Sequence, residues 1–460
     1  MKTRTEVLPA AVRWRVLAVI ITVSAAALMG GAKAQHVEDY PMMMGGEWIR
    51  GPNLTDPEGN FQARQEHAVV ELNGFVYLVN GFVPVQPPPE PSEDEPEPDL
   101  FEPVNEVMVF VPAGHPFGAD SVQGSWQHLS EASWFPEPHH HHIIFTVHEG
   151  RIWSFGGHAM AFEPTDPVYV FTPESGGSPE GSWSGIRVED GEPCELPPMS
   201  EAMDMEDVED MEETETEVAT EEGEEEVTVE AVDSPEADTA ECLTLPEPRA
   251  AGFAVSHNGG IYVLGGVVYN EDPRDPENES IRSSNAVYYL DTGTFPLAWE
   301  EVTAMNEPRE HFTAVVDERI YAVRGRNEDS TRMRGVESWA PGEESWRQEE
   351  DAPIGGSAGV VAAVGECIYA FGGEFSQFTD TGTLKASQVF HTPSATWRTL
   401  ESDIQEEPLD ASDALILHGV FGVTFEELGQ TKIMAAGGGD EAWIAPISKV
   451  HIFTPPDGCT

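Results

Sequence analysis

HNGGIYVLGG, residues 257–266, is a polar turn, a run of strand-forming residues and a glycine pair. An Asn-Gly step between two apolar runs is a strong short-range sign of a β-hairpin, and GFAV at 252–255 supplies the run before it. The same phrase returns along the chain: ELNGFVYLVNG from Glu71, VHEGRIWSFGG from Val147, VVDERIYAVRG from Val315, AVGECIYAFGG from Ala363 and GQTKIMAAGGG from Gly429. A third strand follows each copy, as in VMVFVP at 107–112 and VHIFTP at 450–455. Five times a tryptophan comes next: Trp126, Trp183, Trp299, Trp346 and Trp397.

A unit of roughly 50 residues with four strands and a glycine pair is the pattern of a propeller blade. The chain resembles the kelch-repeat family over nearly all of residues 35–460, which implies an all-β, six-bladed kelch-type β-propeller. In that family the glycines stand where a side chain would collide with closely packed neighbours. Two copies depart, with Asn80-Gly81 and Arg324-Gly325, and slight local distortion is expected there. Six three-strand sets need six outer strands, and the sixth tryptophan, Trp48 in GGEWIRG, precedes the first hairpin. The N-terminal strand is therefore expected to complete the last blade beside VHIFTP. Such a closure removes the open sheet edges that invite pairing with other chains.

Residues 1–34 read as a signal peptide: a basic start, the apolar run VLAVIITVSAAALMGGA, and small residues at Ala32 and Ala34. An uncleaved anchor is the alternative, although the run falls short of the ~20 residues of a membrane span. No later run could cross a bilayer, so no membrane insertion is expected after cleavage, and a secreted or periplasmic location follows. Removing the leader takes away five basic residues and one acid, carrying the formal charge from −60 to −64. The stretch 200–241 holds 20 acids and no Lys or Arg, and 83–102 holds seven more. About −37 remains elsewhere, so the acidity is global. Such a surface lacks the cations that bind phosphates, which excludes nucleic acid as a partner. It has the look of a halophilic adaptation, since molar salt shortens the Debye length to ~3 Å; a calcium-loaded acidic protein is the alternative, without a recognisable loop for the ion. Residues 195–241 read as a disordered acidic insert, and 83–103 as a Pro- and acid-rich loop. Cys194 and Cys242 bracket the insert, where a disulfide would pinch its base; two unpaired thiols are the other reading. Cys367 and Cys459 are what remains.

In a four-stranded antiparallel blade, the link from strand two to three and the link to the next blade emerge on one face. The longest links are all of these two kinds, and loops on a rigid scaffold are where binding is diversified. The first strand of each blade starts on that face. Arg64, Arg249 and Arg309 stand there, with His67, His311 and the run His139 to His142, of which His140 is taken as a ligand-binding candidate. Arginines gathered at the axis could hold a carboxylate or sugar acid bidentately; alternatively each pairs with an adjacent glutamate as blade-to-blade glue. Successive residues on a strand point to opposite faces, so at most two of the four histidines share one. A metal there would need ligands from other blades, such as His67 or His311.

The sequence calls for no cofactor. The leading expectation is an exported binding module for a glycan or protein ligand. The resemblance also implies an alternative, a carbohydrate-active enzyme similar to the sialic-acid epimerases or galactose oxidase. Neither catalytic set can be placed on these residues, and likeness of fold does not transfer activity.

Overall fold

The computed structural model describes residues 40–85, 101–117, 124–137, 141–159, 163–195, 241–269, 281–329, 331–373, 387–401, 422–439 and 446–459. They form six antiparallel sheets arranged as the blades of a propeller. The first blade runs Ala68–Leu72, Phe75–Val79, Val107–Val111 and Ser125–His128 from axis to rim. The third shows the opening phrase at work: Phe253–His257 turns at Asn258-Gly259 into Gly260–Leu264, which pairs with Val287–Asp291 and then Trp299–Glu301. First strands of successive blades neighbour one another all the way round, and that of the last blade, Val423–Glu427, returns to that of the first. Among the described residues no helix is long and apolar enough to cross a membrane.

Each of the six junctions between blades has its own hydrophobic layer. Between the second and third, Trp153, Phe155 and Val168 meet Ala254, Ile261 and Val263; between the last and first, Phe425, Met434 and Ile452 meet Val69, Leu78 and Phe110. Each such side chain contributes about 1.5–3 kcal/mol on burial, so cohesion is spread evenly around the ring. The repeated tryptophans lace the rim. The indole N–H groups of Trp126, Trp183, Trp299, Trp346 and Trp397 donate to Pro52, Ser133, Thr244, Thr303 and Glu350 carbonyls at 2.8–3.1 Å. In every case the acceptor lies in the link entering that tryptophan's own blade, which locks the outer strand to the incoming chain.

Closure goes as expected, with an addition. Glu47–Arg50 pairs antiparallel with Val450–Thr454, making the N-terminal strand the outer strand of the sixth blade. Just before it, Met42–Met44 pairs parallel with the outer strand of the fifth blade, Thr396–Glu401. The Cys367–Cys459 disulfide ties the C-terminal end back to that same fifth blade. The two ends thus clasp the junction twice.

The glycine pair has a steric cause at each position. Gly265 has φ +56°, and a Cβ there would lie 2.8 Å from the Arg309 carbonyl of the next blade. Gly266 has φ +94°, and its Cβ would lie 2.5 Å from the Ala250 carbonyl of its own blade. Asn80 and Arg324, which replace the first glycine, adopt φ 59° and 58°. They take the same left-handed backbone as Gly265, so the departure is absorbed as local strain of about 1 kcal/mol and not as a distorted strand.

Candidate functional site: the mouth of the axis

All four strands of a blade alternate in direction, so the start of the first strand, the end of the second and the link to the next blade share one end of the ring. Two-stranded ribbons extend the link from strand two to three in the first blade, Phe82–Pro84 with Phe101–Pro103, and in the third, Val267–Tyr269 with Ile281–Ser283. The long link segments 86–100, 196–240, 270–280 and 374–386, and with them the expected disordered character of the acidic insert and the Pro-rich loop, lie outside the described residues, as do the leader and His140. The base of the insert is described: Cys194 and Cys242 are joined with a 6.1 Å Cα separation.

At the entrance to the first strands of blades one to five one residue turns left-handed: Glu66, His142, Ala251, His311 and Ala358, with φ between 48° and 57°. Four of these residues, His142, Ala251, His311 and Ala358, form a hydrogen-bonded girdle. Ala251 N–H donates to the His142 carbonyl at 3.0 Å, His311 N–H to Ala251 at 2.8 Å and Ala358 N–H to His311 at 2.8 Å. Their side chains meet inside it. The rings of His142 and His311 are 4.5 Å apart, edge to face. They belong to the second and fourth blades, which are not neighbours, so the contact is made across the axis; the methyl of Ala251 between them leaves room. Glu66 of the first blade brings Oε2 to 3.5 Å from His142 Nε2. Below this plug the first strands line a cavity of about 260 Å³, with Val69, Glu71, Phe145, Thr146, Phe253 and Thr424 on its wall.

Next to the girdle, each of the first four blades makes an isolated bridge between the residue before the left-handed turn and the residue after the glycine pair. The partners are Gln65 with Phe82, His141 with His158, Ala250 with Val267 and Glu310 with Arg326. In the fourth blade that pair is an ion pair, Arg326 Nε to Glu310 Oε1 at 2.6 Å. In the second it sets two imidazoles beside His142. Burial, then the neighbouring His311, His141, His158 and Arg326, holds the His142 imidazole well below the usual histidine range and therefore neutral.

The expected site residues are thus divided. His311 joins His142 on the axis. His67 does not: it is fully buried, its Nε2 lies 2.8 Å from the Ala436 carbonyl, and burial together with Arg64 pushes its pKa down to about 3. The three arginines are fully buried as well, each inside its own blade. Arg64 pairs with Glu106 at 3.0 Å, Arg249 with Glu247 at 3.1 Å, and Arg309 with Glu337. Each also donates to the carbonyl of the first residue of its glycine pair: Asn80, Gly265 and Arg324. Each arginine thus has a glutamate partner, but the pairs tie strands and links within one blade rather than joining blade to blade, and of these three glutamates only Glu247 is close to its arginine in sequence. The fifth blade has Gly356 where the arginine would stand, and Arg324 of the fourth blade reaches across to donate to the equivalent carbonyl, Gly372, at 3.2 Å.

Alternation of the histidine run does not hold either. His141 and His142 are consecutive yet share one cluster, because the left-handed turn at His142 interrupts the extended chain. His158 was not among the expected residues. Its signal is its place directly after the glycine pair, the position that returns to the mouth in each of the first four blades.

No family model matches the chain. Over 132 residues it is 29% identical to beta-scruin of Limulus polyphemus, a match covering 27% of this chain and 13% of that protein. The chain therefore spans a small part of the length of the curated relative it matches, and beta-scruin is itself a kelch-repeat protein. With six blades, the glycine pairs, the rim tryptophans and this similarity together, the chain is a six-bladed β-propeller of the kelch-repeat type.

Proposed function

We propose that this propeller, of a type that in general serves as a protein-interaction module, is an exported module that binds a protein partner through the face carrying the links from strand two to three and from blade to blade. The observation that carries the reading is the contrast between the two ends of the ring. One end carries the two-residue turns such as Asn73-Gly74, Asn258-Gly259 and Gly365-Glu366 together with the links from strand three to four, such as 292–298 and 392–395. The other bears the two ribbons, the stapled base of the acidic insert and the longest links. A ring whose cohesion is shared among six junctions leaves those links free to vary, which is where recognition on rigid scaffolds resides. Two disulfides support an oxidising compartment, and the global acidity suits high ionic strength. A glycan as the ligand, or catalysis on a sugar, would need polar groups offered to the substrate, and the arginines first considered for that role are engaged within the blades.

The test is a comparison of faces. Replacing residues 85–100 by a short Gly-Ser link, and separately 196–240, is expected to abolish capture of partners from the exported protein fraction in molar salt. Substitutions at Asn73, Asn258 and Glu366 are expected to leave capture intact, with the melting temperature confirming that each variant is folded. Capture that survives both shortenings but fails on the turn variants would reverse the assignment.

A further inference from the structure

We propose that His141, His142 and His158, with the Glu66 carboxylate, form a binding site for one divalent transition metal ion of the zinc class at the mouth of the axis. This goes beyond the interaction reading above and does not depend on it. The three histidines are all buried, and their candidate ligand atoms lie within 4.8 Å of one another. Their ring centroids form a nearly regular triangle, with sides of 4.8, 5.3 and 5.4 Å. A tetrahedral ion with bonds of about 2.05 Å to three imidazoles sets the ring centroids about 5.2 Å apart and the ligand nitrogens about 3.3 Å apart. The rings therefore already stand at the spacing of a shared ion, and ring rotation is what brings the nitrogens to it. Glu66 Oε2 lies 3.5 Å from His142 Nε2 and 4.0 Å from His141 Nε2, the position of a fourth ligand.

The backbone holds this arrangement without the metal. His141 and His158 exchange backbone hydrogen bonds of 3.1 and 2.8 Å. His142 is fixed in its left-handed turn by the girdle. Its Nδ1 has no hydrogen-bond partner among the described residues, although the side chain is buried. Three imidazoles and one carboxylate are a borderline donor set that suits zinc, copper(II) and nickel and disfavours magnesium and calcium. The acidic protein around the mouth raises the local cation concentration.

The ring itself supplies substitutions that preserve the fold. At the positions of His141, His142 and His158, sister blades carry Gln65, Ala251 and Val267, so His141→Gln, His142→Ala and His158→Val each install a residue already accommodated in this backbone. The full-length protein, stripped with a chelator, is titrated with ZnCl₂ and with CoCl₂ in molar NaCl and excess MgCl₂, which occupies the acidic surface. The expected result is one tightly bound ion, a cobalt visible absorption of tetrahedral intensity, and a rise in melting temperature with zinc. Each sister-blade substitution is expected to weaken zinc at least 100-fold, while His139→Gln with His140→Gln leaves it within a few-fold. Glu66→Gln should retain binding with lower affinity and an altered cobalt spectrum. Absence of a tight site in the parent protein, or zinc binding that persists in His158→Val and is lost in the 139/140 variant, would overturn the proposal.

Discussion

Arg309→Met separates a structural arginine from a ligand-binding one. The Arg309 side chain is fully buried; Nη1 donates to the Arg324 carbonyl at 3.0 Å and the Gly335 carbonyl at 3.1 Å, and Nη2 to Glu337, itself fully buried. Methionine keeps much of the stem volume and removes all three donations. Two carbonyls and a carboxylate then stay buried with less compensation, and removing one partner of a buried pair costs about 3–5 kcal/mol. Glu337 also accepts from the backbone of Asn306 at 2.7 Å and Glu307 at 3.3 Å, which places the expectation toward the lower end. With an unfolding entropy of ~2 cal/mol/K per residue over about 300 described residues, a loss of about 3 kcal/mol lowers the melting temperature by about 5 °C. Scanning calorimetry in molar salt measures it, together with denaturant titration. Arg309→Met with Glu337→Met should recover much of the loss, because replacing both members of a buried pair by apolar groups of similar size is often close to neutral. A single variant that melts within 1 °C of the parent, or a double variant as unstable as the single, would refute the assignment of this arginine to the blade interior.

Acid should destabilise the ring through its buried histidines. His67 has a folded pKa of about 3, so below pH 6.5 the unfolded chain takes up a proton that the folded one refuses, and stability falls with pH across that window. At pH 5 the loss from this group is about 2 kcal/mol, and His67→Gln, which can still reach the Ala436 carbonyl, should remove that part of the slope in denaturant titrations at pH 5 and 7.5. The reach of Arg324 across to Gly372 predicts coupling with position 356: Gly356→Arg alone crowds two guanidinium groups onto one carbonyl, whereas Gly356→Arg with Arg324→Gly restores the pattern of the third blade. A double-mutant cycle should show the pair more stable than the sum of the single changes by ~1 kcal/mol or more, and additivity would dissolve the idea of a substitute arginine.

Much of the architecture was legible because a propeller repeats its grammar. Asn258-Gly259, the glycine pair at 265–266 and Trp299 each report one local requirement, and six imperfect copies count the blades. Trp48 lay outside any set, and that imbalance was enough to find the closing strand. The parallel strand Met42–Met44 left no such trace, since three methionines carry no period. The site was harder. Whether an arginine faces a ligand or turns inward to cap Gly265 depends on a carbonyl supplied by folding, not on neighbours in sequence. The consecutive histidines misled for the same kind of reason: alternation presumes an extended chain, and only the left-handed φ of His142 brings both rings to one place.

The clasp also imposes an order of assembly. Glu47–Arg50 is synthesised about 400 residues before its partner Val450–Thr454. At ~5–20 residues per second, the early strand waits about 20–80 s for a mate. Throughout that time five blades can mature while the rim stays ajar, and any nascent neighbour with a bare edge is a competitor for the vacancy. Moving the chain's starting point to a turn within a blade, at Asn258-Gly259 for instance, would let the clasp become an ordinary internal connection and abolish the wait.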